Sequence, residues 1–233
     1  MNTLHILAIG AHADDVEIGM GGTLAKYKKC GYQVGICDLT EAELSSNGTV
    51  ELRKQEAQEA ARIIGVDVRV NLGFPDRGLQ WKEEYVAKVV EVIRTYKPKI
   101  VFAPFHEDRH PDHAACARLV EEAVFSAGIR KYLPKQEAHR VQAIYFYMIN
   151  GFQKPSFCID VSEEMPIKTA ALKAYASQFA KGANGVSTPL TEGYVETVVA
   201  REKLFGKEIG TAYAEGFISK KPLVLNGDLL GGL

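Results

Sequence analysis

Short apolar runs alternate along this chain with longer segments of helical periodicity, and that alternation narrows the available folds more than any other feature. "LHILAIGA" (4–11), "QVGICDLT" (33–40), "VRVNLG" (68–73) and "KIVFAPF" (99–105) read as strands, with "AIYFYMI" (143–149) and "SFCIDVS" (156–162) as two more. Between them, 16–30, 49–65 and 83–97 carry helical patterns, and such patterns return at 164–180 and 194–207. The first ends in Lys28-Lys29-Cys30-Gly31, the second at Gly65 and the third before Pro98, all ordinary helix stops. Strands joined through helices pair in parallel by crossover connections, so the expectation is an α/β fold with a mainly parallel sheet and helices on both faces. We read one domain over 1–233, with "ANGVSTPLTEG" (183–193) as a substantial loop.

Composition removes several functions. Twenty-eight basic residues nearly cancel 29 acidic ones, which gives no electrostatic case for nucleic acid or an anionic membrane. No run approaches the roughly 20 apolar residues of a membrane span, and no basic segment precedes the first apolar run, so the expected location is the cytoplasm. Cys30, Cys37, Cys116 and Cys158 are scattered, without the paired spacing of a thiolate metal site.

Two clusters carry chemistry, and each directly follows a predicted strand. His12-Ala13-Asp14-Asp15 ends the first apolar run, where adjacent carboxylates repel and are costly to desolvate alone. His110-Pro111-Asp112-His113, with His106 and Asp108 upstream, follows the fourth. Pro111 suits the first turn of a helix. His113 starts a stripe through Ala117, Val120, Val124 and Ala127 that points it toward the sheet. In open parallel sheets ligands gather beyond the carboxyl ends of the strands, so both clusters reach one rim. Two histidines and one aspartate would hold zinc with a coordination position left for water, and the neighbouring aspartate would be free to act as a base.

Other readings of these residues stay open at this point. An HPDH turn can simply cap a helix, and paired aspartates after a first strand hold magnesium in phosphoryl-transfer and receiver-type domains. The histidines count against magnesium, which prefers oxygen ligands. No GxxxxGK[ST], GxGxxG or GxSxG motif occurs, so Gly19, Gly21 and Gly22 read as allowing close helix–sheet packing.

"AHADD" before a glycine-bearing helix, "ELRKQEAQEAA", and "HPDH" opening a later helix resemble the PIG-L/LmbE-like zinc deacetylases. "ICDLTEAELSSNGTVELRKQEA", "EDRHPDHAACARLVEEA" and "LTEGYVETVVAREKLFGKE" are similar to the branch that deacetylates N-acetylglucosaminyl L-malate in bacillithiol biosynthesis. The resemblance implies a Rossmann-like fold, a small N-acetylglucosaminyl conjugate as substrate, and a homo-oligomer, in that family a hexamer. It implies His12, Asp15 and His113 as ligands of Zn2+, a set that Fe2+ or Co2+ could also occupy. Asp14 becomes the general base. His110, kept charged and aligned by Asp112, becomes an acid or electrostatic stabiliser. Arg53 and Arg109 become substrate contacts suited to malyl carboxylates, although Arg53 could equally pair with Glu56 on its own helix.

The related mycothiol branch carries an oxyanion-assisting tyrosine two residues before the first HPDH histidine, where this chain has Asp108. Tyr194 is a candidate replacement, and in the resemblance it could come from a neighbouring subunit. Alternatives to the malate conjugate are N-acetylglucosamine or chitin oligomers. From different classes come a phosphoacceptor domain and a non-catalytic metal–sugar module.

Overall fold

The computed structural model describes residues 3–182 and 185–223. The ends of the expected 1–233 span and the first two residues of the 183–193 loop lie outside these. The elements run β1 (Ile6–Gly10), α1 (Asp15–Lys29), β2 (Val34–Thr40), α2 (Val50–Ile64), β3 (Val68–Phe74), α3 (Glu83–Tyr96) and β4 (Ile100–Pro104). Then follow α4 (Pro111–Ala127), β5 (Ala143–Tyr147), β6 (Phe157–Asp160), α5 (Met165–Ala174), α6 (Ala176–Phe179), α7 (Tyr194–Ile209) and β7 (Ala214–Ile218). The six expected strands and all the expected helical segments form. The stretch 164–180 divides into α5 and α6, and β7 is an addition.

One seven-stranded sheet has the order β3-β2-β1-β4-β5-β7-β6. The first five strands in this order pair in parallel, and β7 runs antiparallel to both β5 and β6. The chain winds outward from β1 through β2 to β3, then returns to place β4 on the other side of β1. The topological switch point therefore lies between β1 and β4, whose following segments are the two His/Asp clusters.

Side chains alternate along β1. Leu7 and Ile9 pack with Val89 and Ile93 of α3 and Val120 of α4, while Ile6 and Ala8 pack with Val16 of α1, Ala60 of α2 and Leu172 of α5. Both faces of the sheet are thus covered, which is why its inner strands are continuously apolar. Gly19 is one place where α1 requires glycine, because a Cβ there would sit 2.1 Å from the ring of Tyr147. All four cysteines are free, and Cys37 and Cys116 are buried in the core. Among the described residues no helix is long and apolar enough to cross a membrane.

Candidate active site

The first half of the site is a turn under strain. After β1, Asp14 adopts φ 117° and ψ −24°, in the left-handed region that an L-residue enters at a cost of about 1–3 kcal/mol. The turn is held by His12 N–H, which donates to Asp15 Oδ2 at 2.8 Å, and by Arg53 of α2. Arg53 donates from Nε (2.8 Å) and Nη2 (2.6 Å) to the Ala13 carbonyl, and Nη2 also lies 2.9 Å from Asp14 Oδ2. Thr49 caps α2 by accepting from Leu52 N, which fixes the first turn that carries Arg53.

The second half is the start of α4. Pro111 occupies its first turn, and His110 is its N-cap, with ring Nδ1 accepting from Asp112 N at 3.3 Å. His113 then points inward, 4 % exposed, on the same buried face as Ala117 and Val120.

The two halves meet at Asp15. Its Oδ1 lies 3.2 Å from His113 Nε2 and its Oδ2 lies 3.5 Å from His12 Nδ1. Nitrogens of His12, His110 and His113 all fall within 4.8 Å of one another. Two residues not singled out from the sequence complete the surroundings of His12. Asp76, in the "FPDRG" turn after β3, places Oδ1 3.2 Å from His12 Nε2 and accepts from Leu44 N at 3.1 Å. Arg77 donates its backbone N–H to Asp112 Oδ2 at 2.7 Å. Asp76 also follows a parallel strand on this rim, the only signal the sequence offered for it. His12, Asp76 and Asp112 form a second candidate ligand set, which shares His12 with the first.

Charge in the site is unbalanced. Asp14, Asp15, Asp76, Asp108 and Asp112 converge on three imidazoles, with Arg53 and Arg77 as the guanidinium partners. Burial opposes the charge of Asp15, but His113 and His12 outweigh it and hold the carboxyl well below its usual range. Burial likewise opposes a charged His113, yet Asp15 and Asp108 raise its pKa to about 9, and His12 is raised by Asp112, Asp15 and Asp76 in the same way. Asp14 differs: burial lifts it to about 7 despite Arg53. Buried imidazoles that hold protons only because carboxylates surround them make a site a divalent cation would fill, with cation replacing protons. The nitrogen and carboxylate donors fit a borderline transition metal.

His110 corrects one expectation. The carboxylate of Asp112 faces Arg77 and His12, and Asp112 orients His110 through its backbone N–H instead. With Nδ1 accepting, the ring is the neutral tautomer that carries its proton on Nε2. Burial together with His12 and His113 lowers its pKa in agreement with this.

A cleft of about 320 Å³ opens over the site, lined by His12, Asp14, Asp15, His110 and His113. Arg53, Arg109 and Tyr194 line it too, so the structure gathers all the expected substrate contacts around one opening. Arg53 directs most of its donors inward and approaches Ser45 Oγ through Nη1 at 3.4 Å. The alternative pairing with Glu56 does not form, because Glu56 accepts from Ser177 N and Oγ at 2.7 and 2.6 Å. Arg109 is exposed on the rim. Tyr194 belongs to this chain's own cleft wall, where its hydroxyl donates to the Ile149 carbonyl at 3.0 Å. Thr188, Pro189 and Leu190 of the expected loop also line the cleft.

Fold and site together define an α/β protein with a His/Asp metal-type centre at its switch point. Comparison with known proteins specifies it: residues 7–124 match the model of the PIG-L family, described as GlcNAc-PI de-N-acetylase, and the chain belongs to that family. It is 32% identical over 226 residues to the diacetylchitobiose deacetylase of Thermococcus kodakarensis, covering 91% of this chain and 81% of that protein. A Bacillus subtilis protein described as "Probable N-acetyl-alpha-D-glucosaminyl L-malate deacetylase 2" is 30% identical over 188 residues, covering 75% of this chain and 83% of the other. The solved structure of a conserved protein from Thermus thermophilus superposes with a TM-score of 0.88 at 42% identity, covering 96% of this chain and 98% of that one. Family membership makes this protein an N-deacetylase, selecting one of the readings the residues alone left open.

Proposed function

We propose that this enzyme hydrolyses the acetamide of a small N-acetylglucosaminyl conjugate, and that the conjugate is N-acetylglucosaminyl L-malate. The observation that carries the reading is the contrast in surroundings between adjacent aspartates. Asp15 lies between two imidazoles, whereas Asp14 lies beside them with a pKa of about 7, suited to a general base. His12, Asp15 and His113 would hold a zinc ion, which supplies polarisation of the acetamide carbonyl and acidification of water.

Asp14 takes the proton of the attacking water as its oxygen adds to the carbonyl carbon. Arg53 keeps the Asp14 carboxyl from rising further and fixes the strained turn. His110 donates from Nε2 to the developing oxyanion, a role that a neutral ring with Nδ1 occupied can fill. As the C–N bond breaks, the proton held by Asp14 passes to the departing nitrogen, and the products are acetate and the free amine. Arg109, on the rim with Arg77 nearby on the cleft wall, suits the carboxylates of a malyl group.

Diacetylchitobiose is the second reading, and the Thermococcus relative is what favours it. Amine release from N-acetylglucosaminyl malate, diacetylchitobiose and N-acetylglucosamine, with zinc-loaded and chelated protein, separates the two. A metal-dependent preference for the malate conjugate of about tenfold or more in kcat/KM supports our reading, and a preference for the disaccharide replaces it.

A further inference from the structure

Asp108 stands where the mycothiol branch has its tyrosine, yet it does not line the cleft. Its carboxylate collects donors from behind. Oδ1 accepts from His110 N at 2.8 Å and Asn150 Nδ2 at 2.9 Å and lies 2.9 Å from His113 Nδ1, while Oδ2 accepts from Asn150 N at 3.0 Å. Asn150 follows β5 and grips Asp108 at two points, with backbone and side chain. The other end of its amide reaches the cleft, where Oδ1 lies 3.2 Å from the Tyr194 hydroxyl and shares its one proton with the Ile149 carbonyl. An unbroken series of polar contacts therefore runs from Tyr194 of α7 through Asn150 and Asp108 to the ring of His113.

A ligating imidazole must present one nitrogen without a proton, and a carboxylate on the other nitrogen fixes both tautomer and ring plane. Asp108 Oδ1 lies at ion-pair distance from Nδ1, off the axis of the ring N–H so that Nδ1 has no aligned hydrogen bond in this structure, and Nε2 faces Asp15. His110 N–H holds one oxygen of the Asp108 carboxylate, and the two-point grip of Asn150 adds the hold on the second oxygen that fixes its plane. We propose that Asp108 and Asn150 are positioning residues for the metal ligand His113, with Asn150 carrying the restraint from the cleft wall to the ligand ring. This rests on the metal reading above and adds to it residues outside the ligand set.

The test is zinc affinity by competition with a chromophoric chelator for the wild-type chain, Asp108→Asn and Asn150→Ala, with kcat and KM measured across zinc concentrations. Thermal unfolding of each metal-free chain checks folding. Zinc affinity is expected to fall about tenfold in Asn150→Ala and about 10–100-fold in Asp108→Asn. Turnover of Asn150→Ala is expected to recover as zinc is raised to saturation, a rescue that a purely structural defect would not show. Unchanged zinc affinity in both folded variants would overturn the proposal. A raised KM in Asn150→Ala with wild-type zinc affinity would also overturn it and make Asn150 a substrate contact. A wild-type chain that binds no zinc would remove the metal reading itself and this inference with it.

Discussion

Two clusters of buried charge lie on either side of the first turns of α1, and they are built on opposite principles. Behind the helix, Lys168 and Arg201 meet Glu202 and Glu215, two cations against two anions. Lys168 Nζ donates to Glu202 Oε1 (2.6 Å), Glu215 Oε1 (2.5 Å) and the Ile18 carbonyl (2.8 Å). Glu215 also accepts from Gly22 N and Thr23 N at 2.9 and 2.6 Å, and Arg201 donates to the Ile18 carbonyl at 2.9 Å. These bonds satisfy the backbone groups freed where α1 breaks at Met20, whose φ is −154°. In front of the helix, carboxylates outnumber guanidinium groups and the imbalance is met by protons on histidines. A balanced cluster is complete and supports the chain; an unbalanced one is completed by something that arrives.

The largest effect that could break this contrast comes from the balanced side. Lys168→Met should destabilise the protein by about 3–5 kcal/mol, because two fully buried glutamates lose their shared cation. Urea unfolding measures it, and a loss below about 1 kcal/mol would show that the cluster is not a structural keystone.

The unbalanced side should respond to pH in the metal-free protein. His113 has a folded pKa of about 9 against an ordinary 6.5, so the stability it contributes is complete below about 6.5 and is lost as pH rises through 9. The Tm of the metal-free chain should therefore fall by several degrees between pH 7 and 9.5. Saturating zinc should remove that slope, because the cation replaces the proton. Because His12 and His113 both hold protons that the cation must displace, zinc affinity should climb between about tenfold and a hundredfold per pH unit over this interval, for one and two protons released. A flat affinity profile would contradict the proton count.

A smaller effect sharpens the distinction between the aspartates. Arg53→Gln removes the guanidinium beside Asp14, and its pKa should rise by roughly one unit from about 7. The acid limb of the kcat–pH profile should move up by the same amount, while zinc content stays unchanged. A KM increase with an unmoved profile would instead return Arg53 to direct substrate contact.

Much of this was legible in the sequence because it depends on local order. Strand and helix alternation gave the sheet, and two polar clusters directly after apolar runs gave the rim on which His12, Asp15 and His113 meet. What escaped depends on contacts remote in sequence. β7 contains Glu215, a charged residue that obscures an apolar strand pattern and that becomes intelligible only opposite Gly22, Thr23 and Lys168. Asp76 read as part of a turn, since only the fold brings it to His12, 64 residues away. Asn150 carried no motif, and its role comes from its reach to Asp108 and Tyr194. Asp112 does meet His110, as its place in the motif suggests, but through its backbone N–H rather than its carboxylate, and backbone N–H groups leave no mark in a sequence.

The most direct test of the account is zinc content and turnover measured together on Asp14→Asn and Asp15→Asn. The prediction is one zinc per chain in Asp14→Asn, with kcat reduced about 10²–10⁴-fold, and zinc largely lost from Asp15→Asn. Wild-type kcat in Asp14→Asn, or full zinc binding in Asp15→Asn, would contradict the division of labour between the two aspartates.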